Sequence, residues 1–177
     1  MNNNIYVVGE IETTIILNNG EKFRISTESL NKVTPYTWCT EGNGYAMSRT
    51  FGKAVKLHRI ITGASKAEIV DHIDGNVKNN TLYNLRICKK QQNEFNTKIR
   101  SDNTTGFKGV SYDKRRNKYR SYIVYYGKQI SLGQYKYKLD AAKAYNRKAL
   151  ELFGKFARLN DLNQNIKEHK NNNLKIV

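Results

Sequence analysis

Cysteine is scarce in this chain, with only Cys39 and Cys88 among 177 residues and no Cys-x-x-Cys pair. Four thiolate or imidazole ligands cannot be assembled from that set, so no structural zinc is expected. Few thiols and the lack of an apolar secretory segment at the start point to a reducing compartment, the cytoplasm. No apolar run approaches the roughly 18 residues of a membrane span, so no membrane association is expected. Internal repeats are absent. Acidic residues are also in short supply, 15 Asp and Glu against 31 Lys and Arg, which leaves a net charge of +16.

That charge is unevenly spread. Residues 1–50 carry net −1, residues 51–96 net +4, residues 97–160 net +12 and the last 17 residues net +1. A concentrated positive field attracts phosphate, and releasing the counterions of a polyanion supplies affinity. The length suits one domain or two small ones of about 60 residues, each with a limited core.

The densest chemistry lies in Asp71-His72-Ile73-Asp74-Gly75-Asn76, followed by Asn84-Leu85-Arg86 and then Asn93 and Asn96. A titratable imidazole beside a carboxylate, with amides returning later in the chain, supplies a base and the oxygen ligands a hard divalent cation prefers. Hydrolysis of a phosphodiester needs both. Neighbours on a regular strand point to opposite faces, so Asp71 and His72 can serve one phosphate only where a strand ends or twists. The turn signal Asp74-Gly75-Asn76 begins just beyond them, and Asp74, Gly75, Asn76, Asn79 and Asn80 read as ordinary turn formers. On the following helix Lys89, Asn93 and Asn96 share a face, so either Asn could reach a metal.

These residues resemble the HNH endonuclease family, a ββα-metal nuclease of phage homing type. The resemblance implies His72 as the general base, Asn84 as the central residue that orients it, and Asp71 with Asn93 as ligands of one Mg²⁺, or alternatively Mn²⁺, per active site. His58, Asn96 and Arg86 stand as additional active-site residues. His58, in Leu57-His58-Arg59, could pack, cap or touch phosphate, whereas His169 lies in a polar tail and is expected to be solvated.

Downstream, Gly106-Phe107-Lys108-Gly109-Val110 opens three strand-like runs and one amphipathic helix, from about Lys138 to Phe153. Tyr119, Ser121, Ile123 and Tyr125 alternate with Arg120, Tyr122, Val124 and Tyr126, so one face packs and the other is outward. A tight turn is expected at Gly127-Lys128. With Leu132-Gly133, Ala141-Ala142, Ala144-Tyr145 and Leu159-Asn160, this segment resembles the ethylene-response-factor, or Apetala-type, DNA-binding domain. That resemblance implies a sheet laid in the major groove of double-stranded DNA. Its DNA-binding residues would be Lys108, Ser111, Arg115, Arg116, Lys118, Arg120, Tyr122, Gln129 and Ser131. Positions that are arginine in the plant proteins are Ser111, Val124 and Gln129 here, so the plant target sequence does not carry over.

The first 50 residues read as short strands, with a hairpin at Asn18-Asn19-Gly20 and another between Trp38 and Tyr45. The fold class expected is therefore α+β. It comprises a small N-terminal β layer (1–50), a ββα-metal nuclease core (51–97), a linker (98–105), a three-stranded antiparallel sheet on one helix (106–160) and a polar tail (161–177). The function expected is a metal-dependent DNA endonuclease acting as a monomer or DNA-induced dimer, in the host cytoplasm if phage-encoded. The alternatives are a DNA-binding regulator with an inactive nuclease module and, more remotely, RNA binding by basic strands with exposed tyrosines.

Overall fold

The computed structural model describes residues 4–163, which form an α+β fold of several small sheets; the tail from residue 164, including His169, lies outside the described residues. No helix among them is long and apolar enough to cross a membrane. The chain divides into two compact units between Glu94 and Phe95.

In the first unit β1 (Ile5–Val8), β2 (Glu12–Ile16) and β3 (Lys22–Ser26) make an antiparallel meander. The turn at Asn18-Asn19-Gly20 closes through the amides of Leu17 and Gly20, with Gly20 at φ 80°, a conformation that glycine adopts without steric cost. After the one-turn helix α1 (Leu30–Val33) come β4 (Cys39–Thr40), β5 (Ala46–Ser48) and β6 (Val55–Lys56), a second small antiparallel sheet. Helix α2 (Leu57–Thr62) ends at Gly63, left-handed at φ 67°. Then β7 (Ile69–His72) pairs antiparallel with β9 (Leu85–Cys88), and α3 (Lys90–Phe95) follows, giving a ββα unit.

Between β7 and β9 the short β8 (Asn79–Asn80) joins β3 in parallel, matching Arg24 with Asn79 and Ile25 with Asn80. The β7–β9 connection is thereby tied to the N-terminal sheet. One apolar core serves both parts: Ile15, Phe23, Ile25, Val33 and Trp38 pack with Leu57, Ile61, Val70 and Leu85. The N-terminal layer thus packs on the ββα unit, the two burying one shared core. Trp38 is fully buried and donates its indole N–H to the carbonyl of Val33.

The second unit contains β10 (Val110–Asp113), β11 (Lys118–Tyr125) and β12 (Lys128–Tyr135) as an antiparallel sheet with α4 (Lys138–Phe153) packed on it. Val110, Ser121 and Ile123 point inward, and Ser121 Oγ donates to the Ala141 carbonyl at 2.8 Å. The β11–β12 turn is Tyr126-Gly127, with φ 48° and 71°, one residue earlier than the expected Gly127-Lys128. Both residues adopt positive φ, the requirement of a two-residue hairpin whose twist matches its strands. Gly109 also has positive φ, and a Cβ there would collide with the Tyr145 ring and the Tyr122 carbonyl. The expected linker is only partly free of structure, because Asn103 Oδ1 accepts the amides of Thr105 and Gly106 while its Nδ2 donates to the Phe107 carbonyl.

Candidate active site and nucleic-acid face

Strand β7 ends at His72, where the chain turns away through the Gly75 amide donating to the His72 carbonyl at 2.8 Å. Asp71 and His72 therefore occupy the last two positions before a turn, with opposed neighbours as strand geometry dictates. Asp71 lies across from Arg86 in register, and the guanidinium donates from Nε at 2.8 Å and from Nη2 at 2.6 Å to Oδ2 of the carboxylate. Both side chains are largely buried.

His72 contacts a different set of side chains. Its Nε2 lies 3.1 Å from Asn80 Oδ1, its ring centroid stands 5.2 Å from that of His58 in a T-shaped contact, and the Tyr45 ring is 5.9 Å away. His72 and His58 are both buried. Burial drives the His58 pKa down to about 3, with the neighbouring His72, Lys56 and Arg59 adding to the effect. Burial likewise lowers the His72 pKa, against the Asn80 hydrogen bond and the charges of Asp74 and Asp71, which raise it. An imidazole kept below its usual range remains unprotonated at neutral pH, the form that accepts a proton.

Asn84 holds the turn after His72 closed. Its Oδ1 accepts the Asp74 amide at 3.0 Å, and its Nδ2 donates to the Asn79 carbonyl at 2.7 Å and to Asp74 Oδ1 at 2.9 Å. Asp74 also accepts from the Asn76 amide and from Asn79 Nδ2, so its carboxylate organises the turn. Burial pushes its pKa upward, yet these hydrogen bonds outweigh that and leave it lowered. Asn80 differs from the turn former expected. It is 1% exposed and faces His72, and nothing in the alternation of the sequence marked it, because the β3–β8 pairing that turns it inward is a tertiary contact. Tyr45, in the N-terminal half of the unit, likewise had no signal pointing to His72.

Asn93 sits half-buried on α3. Asn96 lies one residue past the end of α3 and belongs to the second unit, where it is buried. The oxygen donors Asp71 and Asn93 are chemically suited to Mg²⁺, which holds several waters and takes few protein ligands besides the phosphates of its substrate. Among the described residues no three His, Cys, Asp or Glu side chains gather as a richer ligand set.

In the second unit the outward row of the sheet carries Ser111 opposite Arg120 and Arg120 opposite Gln134. A bulge between Ser121 and Tyr122 resets the register so that Tyr122 faces Ser131 and Val124 faces Gln129. Gln134 joins this face only because of that bulge, which simple alternation does not foresee. Arg120 donates from Nε to Asp113 Oδ2 at 2.9 Å and again from Nη2, while remaining 54% exposed along its side chain. Asp113 Oδ1 accepts the amides of Arg115 and Arg116, which fixes the turn that presents their exposed side chains. Lys118, at the start of β11, is exposed.

Lys108 departs from the outward role expected of it. Its ammonium donates to the carbonyls of Phe95 and Thr97 at 2.9 and 2.7 Å, and burial lowers its pKa to about 8. Lys108 was assigned by its position in the family resemblance; it precedes β10 and lies in a loop, where residue parity does not determine direction.

Residues 55–95 match the family model described as HNH endonuclease. That stretch runs from β6 to the end of α3 and contains His58, Asp71, His72, Asn80, Asn84, Arg86 and Asn93. An uncharacterized HNH endonuclease of Acanthamoeba polyphaga mimivirus is 38% identical over 144 residues, covering 78% of this chain and 74% of that protein. Protein 3.8 of Escherichia phage T7 is 35% identical over 115 residues, covering 62% of this chain and 94% of that protein. Each aligned stretch is longer than either compact unit, so both likenesses run across the division at Glu94 and Phe95. No solved structure matches the chain.

Proposed function

The chain belongs to the HNH endonuclease family, and from that premise we propose that it hydrolyses phosphodiester bonds of double-stranded DNA with His72 as the general base. The observation that carries the reading is the buried imidazole of His72 at the end of β7, lowered in pKa by its surroundings and adjacent in sequence to the carboxylate of Asp71. A neutral imidazole takes the proton of an attacking water, a step that contributes about 10²- to 10⁴-fold in typical enzymes. Asn84 keeps the turn after β7 closed and so fixes the direction of the His72 ring. Arg86 balances the charge of Asp71 and stands where a phosphate oxygen would be drawn.

HNH nucleases generally use a divalent metal. Asp71 and Asn93 would hold one such ion, Mg²⁺ or Mn²⁺, which when bound stabilises charge on the phosphorane and on the leaving oxygen. Asn96, outside α3, has less support as the second ligand.

The second unit is read as the targeting domain, its outward sheet face with Ser111, Arg120, Tyr122, Gln129 and Ser131 set against DNA and Arg115, Arg116 and Lys118 on phosphate. The net charge of +12 over residues 97–160 supports this. The reading includes a homing-type role in a host cell; the relatives are viral and phage proteins, which supports the host-cell part of it. The deciding experiment is plasmid cleavage by His72→Ala, with and without chelator. Loss of cleavage at unchanged DNA affinity is expected, and wild-type cutting by the variant removes the proposed base.

A further inference from the structure

Resting on the reading of the second unit as a DNA-targeting domain, we infer that Tyr126, at the tip of the β11–β12 hairpin, lays its ring against duplex DNA as a sequence-tolerant apolar contact. The turn itself sets this residue apart. A two-residue hairpin needs positive φ at both central positions, a requirement that Asn-Gly, Asp-Gly and Gly-Gly meet at little steric cost. Here the pair is Tyr126-Gly127, with φ 48° and 71°. For a side chain as bulky as tyrosine the left-handed region is strained, because Cβ crowds the following carbonyl. Elsewhere the chain keeps to the usual turn chemistry: among the described residues every other positive φ belongs to glycine or to Asn117.

Interior packing does not offset that strain. Tyr126 is 68% exposed, and Gly127 and Lys128 after it are exposed as well. The ring is nevertheless supported, since the Tyr125 ring stands against it edge to face with centroids 4.5 Å apart. Tyr125 is in turn partly buried against the cluster of Ile123, Tyr145, Ala149 and Phe153. An exposed ring is thereby held out from the hairpin tip on a packed base, which leaves it less conformational freedom to lose on binding. Strain kept at a surface position with no return inside the fold points to a role outside it.

The surroundings of the tip identify the occupant. Val124, two residues earlier, is 51% exposed on the outward row and lies opposite Gln129, and the same row carries Tyr122 and Arg120. Tyr126 extends this row to the end of the sheet, within a segment of net charge +12 that draws a polyanion. The cations there neutralise phosphates, and a flat ring adds apolar contact with sugars and bases that any sequence offers.

The test measures binding of the full chain, in metal-free buffer, to a mixed-sequence DNA duplex by fluorescence anisotropy across a salt series, beside thermal unfolding. Tyr126→Asn supplies a residue the turn favours and removes the ring. The thermal midpoint should rise by about 2–4 °C as the strain is relieved. Binding should weaken by about 10-fold at every salt concentration, a typical loss for one aromatic contact. The slope of log K against log salt should stay unchanged, because no charge is lost. Tyr126→Phe keeps the ring and should bind as tightly as wild type.

Wild-type affinity in Tyr126→Asn overturns the inference, and so does a lowered thermal midpoint, which would show the ring to be packing for the fold. Tyr126→Phe binding as weakly as Tyr126→Asn would assign the contact to the hydroxyl and overturn it too. Arg120→Ala separates this inference from the reading beneath it. If Arg120→Ala loses affinity and slope while Tyr126→Asn loses neither, the targeting domain stands and the role of Tyr126 falls. If neither substitution changes binding, both fall. If Tyr126→Asn alone weakens it, Tyr126 stands and Arg120 leaves the DNA-contacting face.

Discussion

Arg86 directs two nitrogens onto one oxygen of Asp71, Oδ2, from the facing strand of the ββα unit. Removing one partner of a buried ion pair strands the other charge, which costs more than the pair contributes when intact. Arg86→Met should therefore destabilise the protein by about 3 kcal/mol or more. Urea unfolding with and without Mg²⁺ measures this. Because the metal and the guanidinium would share the Asp71 carboxylate, Mg²⁺ should restore more stability to the variant than it adds to wild type. Equal stability of variant and wild type in metal-free buffer would show the pair to be energetically idle.

His58 makes a pH prediction. Its folded pKa of about 3 lies below the unfolded value near 6.5. Below pH 6.5 the unfolded chain binds a proton that the folded chain refuses, so stability is full above that pH and falls as pH drops toward 3. The slope for one such group is about 1.4 kcal/mol per pH unit. Between pH 6.5 and 5 most carboxylates remain ionised in both states, so this window isolates the imidazoles. His58→Asn should flatten the fall in unfolding free energy there, with the remaining slope due to His72, whose pKa burial also lowers.

Asn84→Ala should remove three hydrogen bonds at once and leave the Asp74 amide and Asn79 carbonyl without their present partner. A loss of about 2 kcal/mol is expected from unmade buried bonds. Cleavage should fall further than stability explains, because the turn that aims His72 loosens. Single-turnover kinetics under conditions where the variant is fully folded separates the two effects.

Arg120 and Lys108 should part company in a salt titration of DNA binding. Arg120 is half exposed on the outward face, so Arg120→Ala should weaken binding and reduce the slope of log K against log salt by about 1. Lys108 is occupied by the Phe95 and Thr97 carbonyls. Lys108→Met should leave that slope unchanged while lowering the thermal midpoint. A reduced slope for Lys108→Met would return it to the DNA-contacting set.

The local pattern of the chain carried much of this architecture. Alternation from Tyr119 to Tyr126 separated the inward Ser121 and Ile123 from the outward Arg120 and Val124, and the amphipathic helix expected from about Lys138 to Phe153 is α4. Strand geometry and the turn signal at Asp74-Gly75-Asn76 placed Asp71 and His72 at a strand end, since local steric rules and turn chemistry act within a few residues, whereas Asn84 was singled out only by the family resemblance. The β hairpins at Asn18-Asn19-Gly20 and between Trp38 and Tyr45 were legible for the same reason.

What local rules cannot encode is which distant groups become neighbours. Asn80 looked like a turn residue until its pairing with Ile25 turned it onto His72, and Tyr45 came to that imidazole through the sheet of β4 to β6. Gln134 reached the outward row only through a bulge, and Lys108 left that face because its loop offers carbonyls to its ammonium. Sequence alone thus determined many of the elements and the residue types gathered at the end of β7, because those depend on nearest neighbours along the chain. Tertiary packing decided the polarity, burial and orientation of each group, because a hydrogen-bond partner or a desolvating wall is supplied by residues far away in the chain.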